Sequence, residues 1–279
     1  MMTPRVAAIH DMSGFGRCSL TVAIPILSAM GVQCCPLPTA FLSTHTGGFE
    51  GFTFLDMTDE MPRVARHWKQ LDLRFQALYS GFLGSERQIG IVEDFIRDFR
   101  TDGTIVVVDP VMGDHGKVYQ TYTPAMCAGT AHLAAQADVI TPNLTEAALL
   151  LDEPFCAAPR TGGEVEALLK RLLGLGARSV VLTSVPMEDG SMANAWMRAG
   201  DQSHGEMRFH PLPIHYPGTG DLFASVLTGA LLRGQGLEAA VRRAAGYIYH
   251  AMEITNAVGS EPRMGVQFEK NLWELADAE

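Results

Sequence analysis

Cysteine is scarce in this chain and follows no pattern. Its 279 residues hold five, Cys18, Cys34, Cys35, Cys127 and Cys156, an odd count with no C-x-x-C pair. That spacing argues against a zinc ribbon or a disulfide framework and leaves reduced, mostly buried thiols. Basic clusters are missing too: 21 Lys and Arg stand against 31 Asp and Glu, a formal net charge of −10. A nucleic-acid or membrane-surface partner would need a basic patch, so neither is expected. No apolar run approaches the roughly 18 residues of a membrane span. Met1-Met2-Thr3-Pro4-Arg5-Val6 leads straight into a short apolar segment with no signal-type core, so the expected location is the cytoplasm. Internal repeats and low-complexity segments are absent. So are several catalytic signatures: there is no G-x-x-x-x-G-K-[ST], no H-R-D or D-F-G, and no G-x-S-x-G. A P-loop kinase, a protein kinase and a standard α/β-hydrolase are thereby set aside. Gly14 and Gly16 lack a third glycine at position 19, which is Ser, so the dinucleotide fingerprint also fails.

What is present is ample apolar material, 47% of the residues, enough for one large α/β domain spanning residues 1–279. Short apolar runs alternate with helical periodicity. Arg5–Ile9, Val32–Pro38, Ala77–Gly84, Thr104–Asp109, Ala137–Ile140 and Arg178–Ser184 read as strands. Cys18–Met30, Thr58–Leu71, Ser85–Phe99, Pro124–Gln136, Gly163–Leu175 and Leu237–Val258 read as helices. Thr104–Asp109 is a continuous β-branched run, the mark of a buried parallel strand. Met192–Arg198 and Gly205–Pro211 alternate as an antiparallel pair with Asp201-Gln202 at the turn, extending the sheet on one edge.

The polar residues gather where these strands end. His10–Arg17 is a turn after the first strand, and Ser13 is its natural hydroxyl for a ligand, or else a turn cap. Phe41–Phe52 mixes rings (Phe49, Phe52) with donors (Ser43, Thr44, His45, Thr46) and reads as a binding loop. Asp109 closes the central strand, where open α/β sheets bind ligands, and suits a cation on phosphates. Gly116–Thr123 is a polar candidate flap. Asn143 and Glu146 follow the next strand, with Thr145 as a possible helix cap, and Thr141 could share a monovalent ion with Asp109. Thr183 and Ser184 end another strand.

The most telling stretch is Tyr216-Pro217-Gly218-Thr219-Gly220-Asp221, which runs into a helix from Asp221 to about Leu232. Two glycines leave backbone N–H groups open, and the helix dipole adds positive potential, which together make a phosphate site. Asp221 at its mouth is either a helix cap or a base that takes the proton of an attacking hydroxyl. If the strands are parallel, all these loops share one sheet edge. They then supply an anion hole, a carboxylate base and metal-ordering groups, the parts needed for phosphoryl transfer.

Gly218-Thr219-Gly220-Asp221, Asp109-Pro110-Val111-Met112-Gly113-Asp114 and Thr141-Pro142-Asn143 with Glu146 resemble the ribokinase-like superfamily. Ser13-Gly14-Phe15-Gly16 and Thr44-His45-Thr46 are most similar to its pyridoxal kinase group, and the likeness runs from about Val6 to Leu275. The resemblance implies a three-layer α/β/α sandwich with a mostly parallel sheet and an antiparallel edge. It further implies transfer of phosphate from ATP, with Mg²⁺, to the 5′-hydroxymethyl of pyridoxal, pyridoxamine or pyridoxine, and a homodimer. In those terms Asp221 is the base, and the amides of Gly218, Thr219 and Gly220 hold the phosphate. Ser13, His45 and Thr46 meet the vitamin. Asp109, Asn143 and Glu146 order Mg²⁺ and the phosphates, Asp109 and Thr141 hold K⁺ or Na⁺, and Thr183 and Ser184 line the nucleotide. The superfamily's sugar kinases carry an early G-G-x-G-x-N that this chain lacks. Hydroxymethylpyrimidine kinases share the D-P-V-M and T-P-N segments but usually have Cys at the place of Asp221. They remain the alternative on the same fold, and a non-catalytic B6- or nucleotide-binding protein is a second alternative.

Overall fold

The structure, a computed structural model, describes residues 3–201 and 203–276. Its elements are β1 (Arg5–Ser13), α1 (Leu20–Ala29), β2 (Gln33–Leu42), β3 (Phe54–Asp56), α2 (Met61–Gln70), β4 (Ala77–Ser80), α3 (Glu86–Phe99) and β5 (Ile105–Val108). There follow β6 (Gly113–Asp114), β7 (Lys117–Val118), α4 (Pro124–Ala134), β8 (Val139–Ile140), α5 (Leu144–Leu150) and α6 (Gly162–Leu173). The chain continues through β9 (Ser179–Pro186), β10 (Met192–Arg198), β11 (His204–Phe209), α7 (Thr219–Leu232) and α8 (Leu237–Val258), and ends in short 3-10 turns up to Leu275.

Nine strands form one sheet in the order β11-β10-β9-β8-β5-β4-β1-β2-β3. From β9 to β2 every neighbouring pair is parallel. Parallel strands need helical crossovers, and those crossovers cover both faces. Residue alternation shows this directly. Ala7 and Ile9 of β1 with Val106 and Val108 of β5 pack under α2–α6. Val6, Ala8 and Val107 face the other way, toward Leu20, Ala23 and Leu27 of α1 and Ala224 of α7. Val22 and Ile26 of α1, Leu222 and Val226 of α7 and Val241 and Ala244 of α8 share a core on that same face. The result is the expected three-layer sandwich.

The antiparallel pair β10–β11 stands where alternation placed it; Gln202 of its turn lies outside the described residues. The other edge differs from expectation. Phe41 and Leu42 belong to β2, and β3 pairs antiparallel to them, so both edges of the sheet are antiparallel. A three-residue strand is too short for periodicity to reveal. The first turn also differs: His10 to Ser13 are still strand, with a register slip between His10 and Met12 opposite β2. Helix starts follow local capping. Ser85 accepts from the Gln88 amide as expected. Asn143, rather than Thr145, caps α5 in a reciprocal capping box with Glu146, because its oxygen reaches the amide three residues on.

β1 is where the strand order reverses, with β2 on one side and β4 on the other. Loops leaving the carboxyl ends of strands that diverge there open a crevice.

Candidate active site

Asp221 is not the cap of α7. That position is Gly218, in the left-handed region with φ 81°. A Cβ there would collide with the Arg17 carbonyl, so the loop closes only with glycine. Asp221 sits one turn inside, and its carboxylate is fixed from two sides. Oδ1 lies 2.8 Å from Nε2 of His10, and Oδ2 accepts from the Ser19 amide at 2.8 Å. The first-turn amides of Thr219 and Gly220 have no helical partner by geometry. A Cβ on Gly220 would approach nothing closer than Oδ2 of Asp109 at 3.9 Å. The fold therefore requires glycine at 218 but not at 220, where the absent side chain leaves room for a ligand beside the amides.

His10 was not among the residues the sequence suggested. It is buried, and its Nδ1 lies 2.9 Å from Oδ1 of Asp11. Asp11 in turn accepts from Ser19 Oγ at 2.6 Å and Ser13 Oγ at 3.1 Å. The bulge in β1 explains this, since regular alternation would send consecutive side chains to opposite faces. Burial opposes a charged His10, but the carboxylates of Asp221 and Asp11 outweigh it and push the imidazole up to about 10. The amides of Asp11 (2.9 Å) and Phe82 (3.3 Å) also point at Nδ1, which would suit a neutral ring. The imidazolium prevails, because a neutral ring would leave two buried carboxylates without a compensating charge. Burial also opposes ionisation of Asp11, but His10, Ser19 and Ser13 together hold it below the usual carboxylate range.

A second acidic group lies across the crevice. Asp109 accepts from Thr141 Oγ1 at 2.9 Å. Burial and the charge of Asp221 push Asp109 up to about 7, against the Thr141 bond and His10. Glu146 accepts from the amides of Met112 (3.2 Å) and Asn143 (2.9 Å). Burial and Asp109 nevertheless raise Glu146 well above the usual range. Asn143 Nδ2 donates to the Gly113 carbonyl at 2.9 Å, which ties β6 to α5. Mutually repelling buried carboxylates with hydroxyl and carbonyl neighbours are the donor chemistry of a hard, oxygen-liganded cation, so the residues fit Mg²⁺.

The remaining candidates are occupied by contacts of their own. His45 is buried, with Nε2 2.8 Å from the Arg263 carbonyl and Nδ1 accepting from the Gly47 amide at 3.0 Å. Both ring nitrogens thus bond to backbone, and the ring braces the loop edge-on to Phe49. Thr46 is exposed at the loop tip. The Ser13 hydroxyl is directed to Asp11. Thr183 bonds back to Pro142, and Ser184 adopts φ 53° where β9 slips register against β10.

A glycine-built loop with a fixed carboxylate one turn into its helix, on a three-layer sandwich, is the ribokinase-like architecture. Comparison with known proteins agrees. The phosphomethylpyrimidine kinase family model matches residues 24–265, and the chain belongs to this family. A pyridoxine/pyridoxal/pyridoxamine kinase of Bordetella avium is 32% identical over 91% of this chain and 86% of its own. A Bacteroides thetaiotaomicron protein, provisionally described as a phosphomethylpyrimidine kinase, superposes with a TM-score of 0.96 at 45% identity, covering 100% of this chain and 96% of its own. Another crystal form of it contains pyridoxal (TM-score 0.94, 46% identity, 98% and 96% covered). Pyridoxal kinase of Lactobacillus plantarum superposes with a TM-score of 0.89 at 32% identity over 99% and 97% of the two chains.

The His10 ring occupies space that a Cβ on Gly81, just past β4, would overlap. Gly81→Ala should therefore cost about 1–3 kcal/mol by overpacking, read from urea unfolding. In a His10→Ala background that cost should vanish, and a cost that persists there would show that the ring does not set the glycine.

Proposed function

We propose that this chain phosphorylates the 5′-hydroxymethyl group of B6 vitamers (pyridoxal, pyridoxamine and pyridoxine), with ATP as donor: a pyridoxal kinase. The observation that carries the reading is the carboxylate of Asp221, held between His10 and the Ser19 amide one turn inside the anion-binding start of α7. A carboxylate at an anion site is repelled by phosphate and is useful there only as a proton acceptor. The pyridoxal in the 46% identical neighbour supports the vitamer as the alcohol.

In this reading the substrate hydroxyl faces Asp221, which takes its proton as the oxygen attacks the γ-phosphorus, and the bond from that phosphorus to the β,γ-bridging oxygen breaks to release ADP. The amides of Gly218, Thr219 and Gly220 bind the transferred phosphoryl group. The His10 imidazolium pairs with Asp221 at 2.8 Å and fixes the orientation of its carboxylate. Asp109 and Glu146, with Asn143 orienting the latter, would hold Mg²⁺; Asp109 and Thr141 would hold K⁺ or Na⁺. A bound cation there neutralises charge on the phosphates. Ser13, His45 and Thr46 serve the vitamer pocket, His45 through the loop it braces, and Thr183 and Ser184 border the nucleotide.

The reading takes residues 1–279 as one domain acting in the cytoplasm, where ATP is available; five free cysteines support a reducing compartment. No helix among the described residues is long and apolar enough to cross a membrane. A homodimer is supported by the β3 edge, where Phe54 and Leu55 are exposed on the outermost strand and Phe41 of the adjoining β2 is exposed beside them.

The family description and the Bacteroides neighbour favour a second alcohol, hydroxymethylpyrimidine, so a panel of the three vitamers and this pyrimidine with ATP and Mg²⁺ is the first test. Turnover of the pyrimidine alone would overturn the vitamer assignment. Asp221→Asn should lower kcat by about 10²–10⁴ while pyridoxal still binds by calorimetry; unaltered kcat would remove Asp221 from the mechanism. His10→Gln removes the positive charge that helps hold Asp11 below the usual carboxylate range, so the acid cluster around it should take up a proton at higher pH. The acid limb of kcat/KM should then move up by about one pH unit or more, whereas a purely structural His10 would change rate without moving the limb. Leu55→Glu should convert a dimer to a monomer in light scattering, and a wild type that is already monomeric would discard the interface.

A further inference from the structure

One cluster of ligating side chains is not used by the chemistry above. The β6–β7 hairpin turns through His115 (φ 50°) and Gly116 (φ 74°), both left-handed, as a tight two-residue hairpin turn requires. Its Asp114 and His115 meet His215, which lies one hundred residues on and immediately before buried Tyr216. Oδ2 of Asp114 is 3.5 Å from Nε2 of His115 and 3.5 Å from Nε2 of His215. The two imidazoles stand edge to face with centroids 4.7 Å apart, and the three ligand atoms lie within 4.8 Å of one another.

These separations are too long for good hydrogen bonds. They match something else. Ligands about 2.0–2.2 Å from a tetrahedral zinc ion lie about 3.4 Å from each other. We propose that Asp114, His115 and His215 form a binding site for a first-row divalent transition metal of the zinc class, which clasps the β6–β7 hairpin to the anion loop.

The donor set selects the ion. Two imidazoles and one carboxylate suit zinc, cobalt, nickel or copper, whereas Mg²⁺ prefers oxygen alone. The site is therefore chemically separate from the buried Asp109 and Glu146. Three protein ligands leave a fourth coordination position for water or an incoming oxygen. The mechanical consequence comes from what each half carries. The hairpin is already tied to α5 through the Gly116 amide and Thr145 Oγ1, 2.9 Å. His215 is three residues before Gly218, whose left-handed turn sets the phosphate amides. An ion joining them restrains the loop against the hairpin and slows any turnover that needs the two to part. This braking effect rests on the kinase reading; the binding of metal does not.

The test uses the full chain in metal-free, nucleotide-free buffer titrated with Co²⁺. One equivalent should give the visible bands of low-coordinate cobalt. His115→Asn, which tolerates the left-handed turn, and His215→Asn should each weaken binding by more than the 10–100-fold typical of an outer-shell change. No bands with wild type at millimolar Co²⁺, or equal affinity in both variants, would overturn the site whatever the enzyme's activity. With Mg²⁺ and ATP present, Zn²⁺ should inhibit the wild type and spare His215→Asn, whose turnover in chelated buffer should equal the wild type. Equal inhibition of both would overturn the brake and leave the cobalt result to judge binding on its own.

Discussion

The architecture depends on one buried contact, the carboxylate of Asp221 against the imidazolium of His10. Four acids, Asp11, Asp109, Glu146 and Asp221, crowd one crevice, and burying that much negative charge is costly without compensation. His10 serves two of them at once. The other two are met by a threonine hydroxyl and two backbone amides, which leaves Asp109 and Glu146 holding protons more tightly than free carboxylates do. That residual demand is what the proposed Mg²⁺ would meet. Beside Asp221 the compensation is direct, since the His10 ring meets its carboxylate at 2.8 Å.

Three backbone devices make the contact possible, and each is local. A bulge in β1 brings His10 and Asp11 to the same crevice. Gly81, just past β4, has no side chain and so leaves space for the His10 ring. Gly218 turns left-handed against the Arg17 carbonyl and starts α7 where its amides and Asp221 face the same opening. Neither glycine contributes a side chain, yet each determines where one points. The parallel sheet does the rest: its strand order reverses at β1, so segments more than two hundred residues apart in sequence meet at one edge.

The two ends of the sheet show how differently edges can be finished. β11 carries Glu206 and Arg208, paired with each other and with Asp189, a charged border that discourages further strand addition. β3 carries Phe54 and Leu55 outward instead, which invites a partner. The candidate metal ligands show a related economy, since a surface hairpin and the approach to the anion loop are joined only through side chains.

Much of this was legible in the residues themselves. The continuous apolar run before Asp109, the helical period of Leu237–Val258, the Ser85 cap and the alternation of the β10–β11 pair are short-range patterns, determined by side-chain periodicity and local hydrogen bonding. Gly218-Thr219-Gly220-Asp221 carried the expectation of an anion site, and the chain's kinship followed from it and its companion motifs. Tertiary structure alone decided the role of each polar group around it. It made Asp221 a held carboxylate rather than a cap and drew His10 into the site through a bulge. It turned His45 toward backbone and placed His115 beside His215. The physical reason is the range of the interactions: propensity and capping act over three or four residues, whereas a buried charge is settled by whatever the fold brings within a few ångströms.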